Sequence, residues 1–161
     1  MSNLTLPEAF KIVQAHEPVA ADAMDNTCDT ISCKNIKKLW VVLHHYSGGG
    51  DTDLVLTINE STTVAGAGTT AITETCPIWS NVDTSTLDAL TRQTDAITFT
   101  VDTTAQLDQI WILEWDPAKF SAGFDCFQLR SSGGNAANLV SVLYIAEMRY
   151  QSDVPPSLIT D

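Results

Sequence analysis

The sequence predicts an all-β fold, specifically an antiparallel β-sandwich, on three observations. Short apolar runs recur between residues 36 and 150, separated by clusters of Gly, Asp, Asn, Ser and Thr, which is the spacing of short strands in a sandwich. The length of 161 residues suits one domain with one core. The hydrophobic fraction of 44% is that of a globular protein. We therefore predict a single folded domain rather than a disordered chain.

The chain is predicted to have an N-terminal arm or first strand at residues 1–35, a body at 36–150 and a tail at 151–161. The segment "LPEAFKIVQAHEP" favours an extended arm, although Pro7 would also suit the first turn of a short helix. The segment "QSDVPPSLITD" contains two prolines, and the polyproline conformation they favour predicts a tail that crosses a surface. Both arms are expected to be extended.

The body begins with "NIKKLWVVLHHY", which is apolar on both faces, as an interior strand would be. "DLVLTINE" alternates apolar and polar residues and is predicted to be its half-buried partner strand. In "TTAITETCPIWS", Pro77 lacks a backbone donor and indicates a strand end, an edge or a bulge.

Four more segments complete the predicted body. "AITFTV" alternates Ile97, Phe99 and Val101 with threonines, and "LDQIWILEWD" is a second candidate interior strand. "GFDCFQL" and "NLVSVLYIAEMRY" are joined by "RSSGGNAA", whose Ser, Gly and Asn residues predict a hairpin or a loop.

The stretch "LHHYSGGGD" combines two histidines with three glycines and an acid. Adjacent strand residues point to opposite faces, so His44 and His45 are not expected to bind one metal ion. A phosphate-binding loop would continue into Gly-Lys-Ser or Gly-Lys-Thr and a helix, whereas Asp51 follows here. We expect a hairpin connection in which the glycines supply positive backbone angles and Asp51 helps to close the turn.

Other acidic groups give weak evidence for chemistry. Asp51 and Asp53 lack the ligand spacing of a calcium loop, which leaves at most a weak exposed cation site. Glu114 and Asp116 near a strand end are more typical of a solvated edge than of an acid–base pair. Because nucleophile elbows and His-Glu-x-x-His pairs are also absent from the sequence, we predict no enzyme active site, no metal and no cofactor.

Charge and cysteine content restrict the partners and the compartment. The formal net charge of −12 disfavours binding to nucleic acid. No apolar run is long enough for a membrane helix and the N-terminus does not have the pattern of a signal peptide, so we predict synthesis in the cytoplasm and no membrane partner. Reduced, buried thiols are then favoured over disulfides or a zinc site for Cys28, Cys33, Cys76 and Cys126.

Tryptophan and lysine residues supply the candidate contact residues. Trp40, Trp111 and Trp115 fall in predicted interior strands, which favours core packing, whereas Trp79 lies near a strand end and is a candidate surface contact. The segment "KNIKK" places Lys34, Lys37 and Lys38 together on an acidic chain, as a solvated strand entry or as a contact with an acidic partner.

Two long stretches carry a resemblance to a known family. They are "TISCKNIKKLWVVLHHYSGGGDTDLVLTINEST" and "FDCFQLRSSGGNAANLVSVLYIAEMRYQSDVPPSLITD". Together they resemble a family of small structural proteins of tailed bacteriophages, although Met148 and Cys33 depart from its pattern. The matching residues are Gly123, Phe124, Asp125, Cys126, Arg149, Tyr150, Pro155, Pro156 and Ser157.

The resemblance implies a jelly-roll-like sandwich on the virion exterior. Such a protein would decorate or cement the capsid by binding the major capsid protein, as a homo-oligomer for which a trimer is favoured. The expected capsid or subunit contacts are the N-terminal arm, the "KNIKK" lysines and the tail residues Val154, Pro155, Pro156 and Leu158. Deleting residues 154–161 is expected to weaken capsid binding and to leave thermal unfolding nearly unchanged.

Two alternatives from other classes remain open at this point. The first is a receptor- or carbohydrate-binding module on a tail or fibre, with Trp79 as the stacking residue. The second is a hydrolase that acts on a cell-wall polymer, although the sequence contains no catalytic motif that favours it.

Overall fold

The computed structural model describes residues 6–25, 28–150 and 157–159. Within these ranges, eleven strands form two antiparallel sheets that pack against each other, and helical structure is limited to short turns. The predicted all-β sandwich is therefore confirmed. The helical turns are Leu6–Ala9, Ala21–Ala23 and Pro117–Lys119.

The strands are numbered in chain order. They are β1 (Phe10–Ala20), β2 (Ile31–Ser32), β3 (Ile36–Tyr46), β4 (Leu54–Ser61), β5 (Thr70–Ala71), β6 (Ile78–Asn81), β7 (Thr91–Arg92), β8 (Thr98–Val101), β9 (Gln109–Trp115), β10 (Cys126–Gly133) and β11 (Leu139–Met148).

The pairing of the strands is that of a jelly roll. One sheet has the order β1-β11-β3-β9-β6-β7, and the other has the order β2-β10-β4-β5 with β8 also paired to β4. The pairs β1 with β11, β2 with β10, β3 with β9 and β4 with β8 are all antiparallel. These four pairs wind one long double strand around the core, and β5, β6 and β7 are inserted between β4 and β8.

The predicted pairing of β3 with β4 is wrong. β3 lies between β11 and β9, so that Val41 faces Tyr144 on one side and Leu113 on the other. β4 belongs to the other sheet, between β10 and β8. The glycine loop after β3 therefore crosses from one sheet to the other and is not a hairpin, and the loop between β10 and β11 crosses in the same way.

Large side chains from both sheets fill the space between them. Trp115 packs against Phe127 with ring centroids 6.2 Å apart, and Phe127 meets Tyr144 edge-on at 5.8 Å. The Tyr144 hydroxyl accepts a hydrogen bond from the Leu129 backbone N–H at 3.1 Å, which joins the two sheets. Because β9 contributes Trp111 and Trp115 to this core, its predicted interior position is confirmed.

Both chain ends contribute to the body. After the turn at Leu6–Ala9, β1 forms the edge of the six-stranded sheet, so residues 10–20 are a first strand rather than a free arm. Near the other end, Leu158 is 3% exposed and its carbonyl accepts from the Ser32 N–H at 2.6 Å. The predicted contacts Val154, Pro155 and Pro156 lie outside the described residues.

Candidate functional site

The outer face of the five-stranded sheet is polar. Thr57 and Thr98 share a hydrogen bond of 3.1 Å between their hydroxyls. The Arg130 guanidinium donates to the Gln128 side-chain oxygen at 3.0 Å. Part of this face is covered by the chain itself, because Gln128 is buried and donates to the Cys28 carbonyl at 2.8 Å, and the remainder faces water.

The outer face of the six-stranded sheet is apolar at its centre. In β3, Leu39, Val41 and Leu43 point into the core, so Trp40 and Val42 point outward. The same alternation in the neighbouring strands turns further apolar side chains outward. We call this set the apolar face: Ile12, Trp40, Val42, Trp79, Ile112, Leu143 and Ile145.

The strand register makes the apolar face continuous. Leu143 lies opposite Val42, Val42 lies opposite Ile112, and Ile112 lies opposite Trp79. Ile12 on β1 extends the surface through its partner Ile145. Ile12 is 46% exposed and Leu143 is 41% exposed, so part of this apolar surface is in contact with water.

Two shallow grooves flank Trp40. The first, of about 260 Å³, is lined by Leu6, Phe10, Trp40, Val42, Ile112 and Ile145, and Phe10 meets Trp40 edge-on at 5.7 Å. The second, of about 330 Å³, is lined by Trp40, Trp79, Leu90, Ile112 and Glu114. Trp40 was expected in the core with Trp111 and Trp115, but its position in β3 places it on the outer face.

Trp79, the predicted surface aromatic, is half-buried on this face. The Arg92 guanidinium lies 4.8 Å from the centre of its ring, a cation–π contact. The Trp40 indole N–H donates to Glu114 Oε2 at 3.1 Å, so a carboxylate lies beside the second groove.

Charged groups on and beside the apolar face occur in opposite pairs. Lys38 Nζ lies 2.7 Å from Glu114 Oε1, and Lys37 Nζ lies 2.7 Å from Glu147 Oε1. The hydrogen bond to Glu114 raises the pKa of Lys38. Arg92 pairs with Asp95 at the margin. Since each cation has its own carboxylate, these six groups together carry no net charge.

The "KNIKK" lysines therefore do not form a surplus of positive charge. In addition to the pairs of Lys37 and Lys38, Lys34 Nζ lies 3.7 Å from Asp125 Oδ2. An acidic partner would have to compete with these carboxylates, which weakens the case for a contact of that kind.

The glycine loop is shaped by close contacts rather than by a hairpin turn. Of its three glycines, only Gly49 has a positive φ, at +94°. A Cβ on Gly48 would lie 1.8 Å from the Ala137 carbonyl oxygen, and one on Gly50 would lie 2.3 Å from the Asn135 side chain. Asp51 is exposed, while Asp53 Oδ1 accepts from the Thr103 N–H at 2.8 Å. The loop therefore has a structural role.

The two histidines of β3 point to opposite faces, as predicted. His44 is exposed, whereas His45 is fully buried and neither ring nitrogen has a hydrogen-bond partner. Burial lowers the pKa of His45. Across the described part of the chain, no three His, Cys, Asp or Glu side chains come together as a metal-binding group.

The remaining candidate groups have structural partners. Glu114 accepts from Lys38 and Trp40, and Asp116 caps the turn at Pro117–Lys119 by accepting from the Ala118 N–H at 2.9 Å. All four cysteines are buried, and none of them is in a disulfide bond. Desolvation raises the pKa of Cys28 and of Cys76 to about 12, so these thiols are poor nucleophiles.

A cleft of about 380 Å³, which sequence analysis did not anticipate, opens between β6, β8 and β9 and is lined by both apolar and polar side chains. Its polar groups bond mainly to one another. Gln93 donates to the Ser80 hydroxyl at 2.9 Å, Trp111 donates to Gln109 at 2.9 Å, and Gln109 donates to the Asp102 carbonyl at 2.6 Å. These hydrogen bonds join β6 to the residue after β7 and β9 to the residue after β8.

Comparison of the chain with protein-family models, curated proteins and solved structures gave no match. In the described ranges, no helix has the length and apolar character that crossing a membrane requires.

Proposed function

We propose that this chain is a non-enzymatic virion protein that binds the outer surface of a bacteriophage capsid as a decoration or cement protein. The major capsid protein would be its partner, and the virion exterior its location. The resemblance of the strand and loop motifs to small structural proteins of tailed phages supports this proposal. A jelly-roll body also suits the role, because its wound strand pairs make a compact shell component.

The apolar face is the observation that carries the proposal. A protein that works alone in water rarely exposes a contiguous apolar surface, and such a surface usually marks an interaction site. Here it is built on a rigid sheet and lacks a catalytic or metal-binding cluster among the described residues. An assembly protein packs such a face against a partner protein, whereas an enzyme needs polar groups that converge on a substrate.

The proposal is tested by quantitative mass spectrometry of virions purified from the phage that encodes the chain. A decoration protein should be present in an amount comparable to the major capsid protein. A trace amount would place it on the tail or a fibre, and complete absence would reject a virion role.

The groove between Trp40 and Trp79 favours one second candidate, a saccharide-binding module. Two half-buried indoles flank Ile112, and the Glu114 carboxylate and Arg92 guanidinium lie beside them. Aromatic side chains with a few placed polar groups are typical of small-molecule sites.

A glycan array with the purified chain tests this candidate. Selective binding that Trp79→Ala weakens by about tenfold, or ~1.4 kcal/mol, would support it. The control is Leu87→Ala, an exposed position in the loop between β6 and β7, which should bind as the unmodified chain does. A blank array would reject the saccharide-binding module.

A further inference from the structure

We propose that the apolar face is covered by the same face of a second copy of this chain, so that two sandwiches stack sheet against sheet around a two-fold axis. This rests on the proposed function, because it names the occupant of the surface that an assembly protein would bury. It differs from the trimer that the family resemblance favours.

Charge is the first argument for a second copy. Each chain carries a formal charge of −12, so two copies repel each other over most orientations. The three cations on or beside the apolar face, Lys37, Lys38 and Arg92, are each paired with a carboxylate of the same chain. Two such faces can therefore meet without bringing unbalanced charge together, and neither needs a partner of opposite sign.

Shape is the second argument. Leu143 and Ile12 project from the face, with 41% and 46% of their surface exposed. The groove beside Trp40, of about 260 Å³, is apolar and accepts side chains of this size. A face that has both projections and a recess can be complementary to itself, which an isologous two-fold contact requires.

The distribution of exposed apolar side chains supports two-fold symmetry over three-fold. Ten large apolar side chains are exposed in the described ranges, and six of them lie on or beside the outer face of the six-stranded sheet: Leu6, Ile12, Tyr46, Leu90, Leu139 and Leu143. The other four are dispersed over loops and chain ends. A ring of three needs two different complementary patches, whereas a two-fold pair needs only one.

The area of the face is enough for a pair of modest affinity. The whole outer face of five strands, which lie about 4.8 Å apart and are mostly about six residues of ~3.4 Å long, measures on the order of 500 Å², and the apolar face is its central part. Two copies would bury on the order of 1,000 Å² in total, near the lower limit for a specific interface. We therefore expect dissociation on dilution.

Sedimentation velocity of the purified full chain over a wide range of concentrations tests the proposal. A monomer–dimer equilibrium is expected. Leu143→Glu, which places like charges near the two-fold axis, should convert the chain to a monomer, and Ile12→Glu on the edge strand should weaken the dimer. The matched control is Val55→Glu on the polar outer face of the five-stranded sheet, which should leave the dimer intact.

Each variant is first checked for an unchanged thermal unfolding midpoint at low concentration. Two substitutions on different strands are used so that the test still stands if one of the variants does not fold. A monomer at all concentrations, a trimer, or a dimer that both Glu variants leave unchanged would overturn the proposal. The amount of protein in virions is read out independently, so a monomer that is abundant in virions rejects the dimer and retains the decoration role.

Discussion

Asn138 is a buried residue whose side chain determines the path of a loop far away in sequence. Its carboxamide oxygen accepts from the N–H groups of Gly48 and Gly50 at 3.0 Å each, and its nitrogen donates to the Gly50 carbonyl at 3.1 Å. The three bonds hold the β3–β4 connection, which passes from one sheet to the other, against the loop that precedes β11. Nothing in "LHHYSGGGD" itself indicates this partner.

Asn138→Ala should destabilise the chain by about 2–4 kcal/mol, because it leaves the buried N–H and carbonyl of Gly50 without these partners. Urea denaturation would measure the loss. The matched control is Asn135→Ala, where the half-buried side chain accepts only from the nearby Ala137 N–H and approaches Thr52. Equal losses for both variants would contradict the special role of Asn138.

His45 is the residue from which we expect a pH effect. Its imidazole is fully buried, and desolvation lowers its pKa more than the nearby Asp108 carboxylate and the Leu107 backbone raise it. The unfolded chain binds a proton on this histidine at a pH of about 6.5, whereas the folded chain requires a lower pH. Stability from this group is therefore fully present above about pH 6.5 and decreases as the pH falls below it.

His45→Gln should reduce the loss of stability between neutral pH and about pH 5, a window above the range in which carboxylates titrate. The measurement is the urea midpoint at each pH. His44→Gln, the same change on the exposed side of β3, should keep most of the pH dependence, because desolvation lowers the pKa of His45 more than the neighbouring His44 charge does. If the two variants respond alike to pH, His45 is not the group responsible.

At the scale of elements, residues 157–159 near the C-terminus are part of the sandwich. Leu158 is buried in the core cluster, and its carbonyl bonds to β2 at the edge of the five-stranded sheet. The expectation that residues 154–161 could be removed at little thermal cost therefore does not agree with this placement. The prolines of the segment indicated a surface path, but periodicity cannot show that one leucine would enter the core.

Leu158→Ala should destabilise the chain by at least about 2 kcal/mol, as is usual for truncation of a buried leucine. The neighbouring Ile159 is exposed, so Ile159→Ala should change stability by no more than about 0.5 kcal/mol. Chemical denaturation of the two variants measures the difference. A loss as small for Leu158 as for Ile159 would show that the segment does not dock in solution.

The whole molecule is an acidic jelly roll with two dissimilar outer faces. The five-stranded sheet presents hydroxyls and side-chain amides, whereas the six-stranded sheet presents the apolar face. The same fold thus keeps one surface in water and leaves the other available for assembly.

The burial of all four cysteines makes thiol reactivity a probe of global unfolding. Desolvation raises the pKa of Cys28, Cys33 and Cys76, so little thiolate forms in the native state. A thiol reagent at mildly alkaline pH should label the native chain very slowly and the denatured chain at four sites. Rapid labelling of any one site under native conditions would reveal a local opening that the structure does not show.

The sequence by itself determined the strand content and the side-chain alternation within each strand. His44 and His45 could be assigned to opposite faces because alternation with a period of two is a local property. Trp111 and Trp115 were assigned to the core because their strand is apolar on both faces, and the same reasoning misplaced Trp40. The apolar character of both faces of β3 and β9 was also readable, but it was interpreted as full burial. The sequence therefore did indicate the apolar residues of this face, but the prediction that they are buried was wrong.

The tertiary structure alone decided which strands are neighbours and which surfaces remain uncovered. β3 and β4 are adjacent in sequence, yet they lie in different sheets because the jelly roll pairs the first strand with the last. Trp40 lies outside and Leu158 inside for the same reason: burial depends on what packs across a face, and that partner comes from distant parts of the chain. Local alternation cannot carry this information, since strand pairing is a long-range contact.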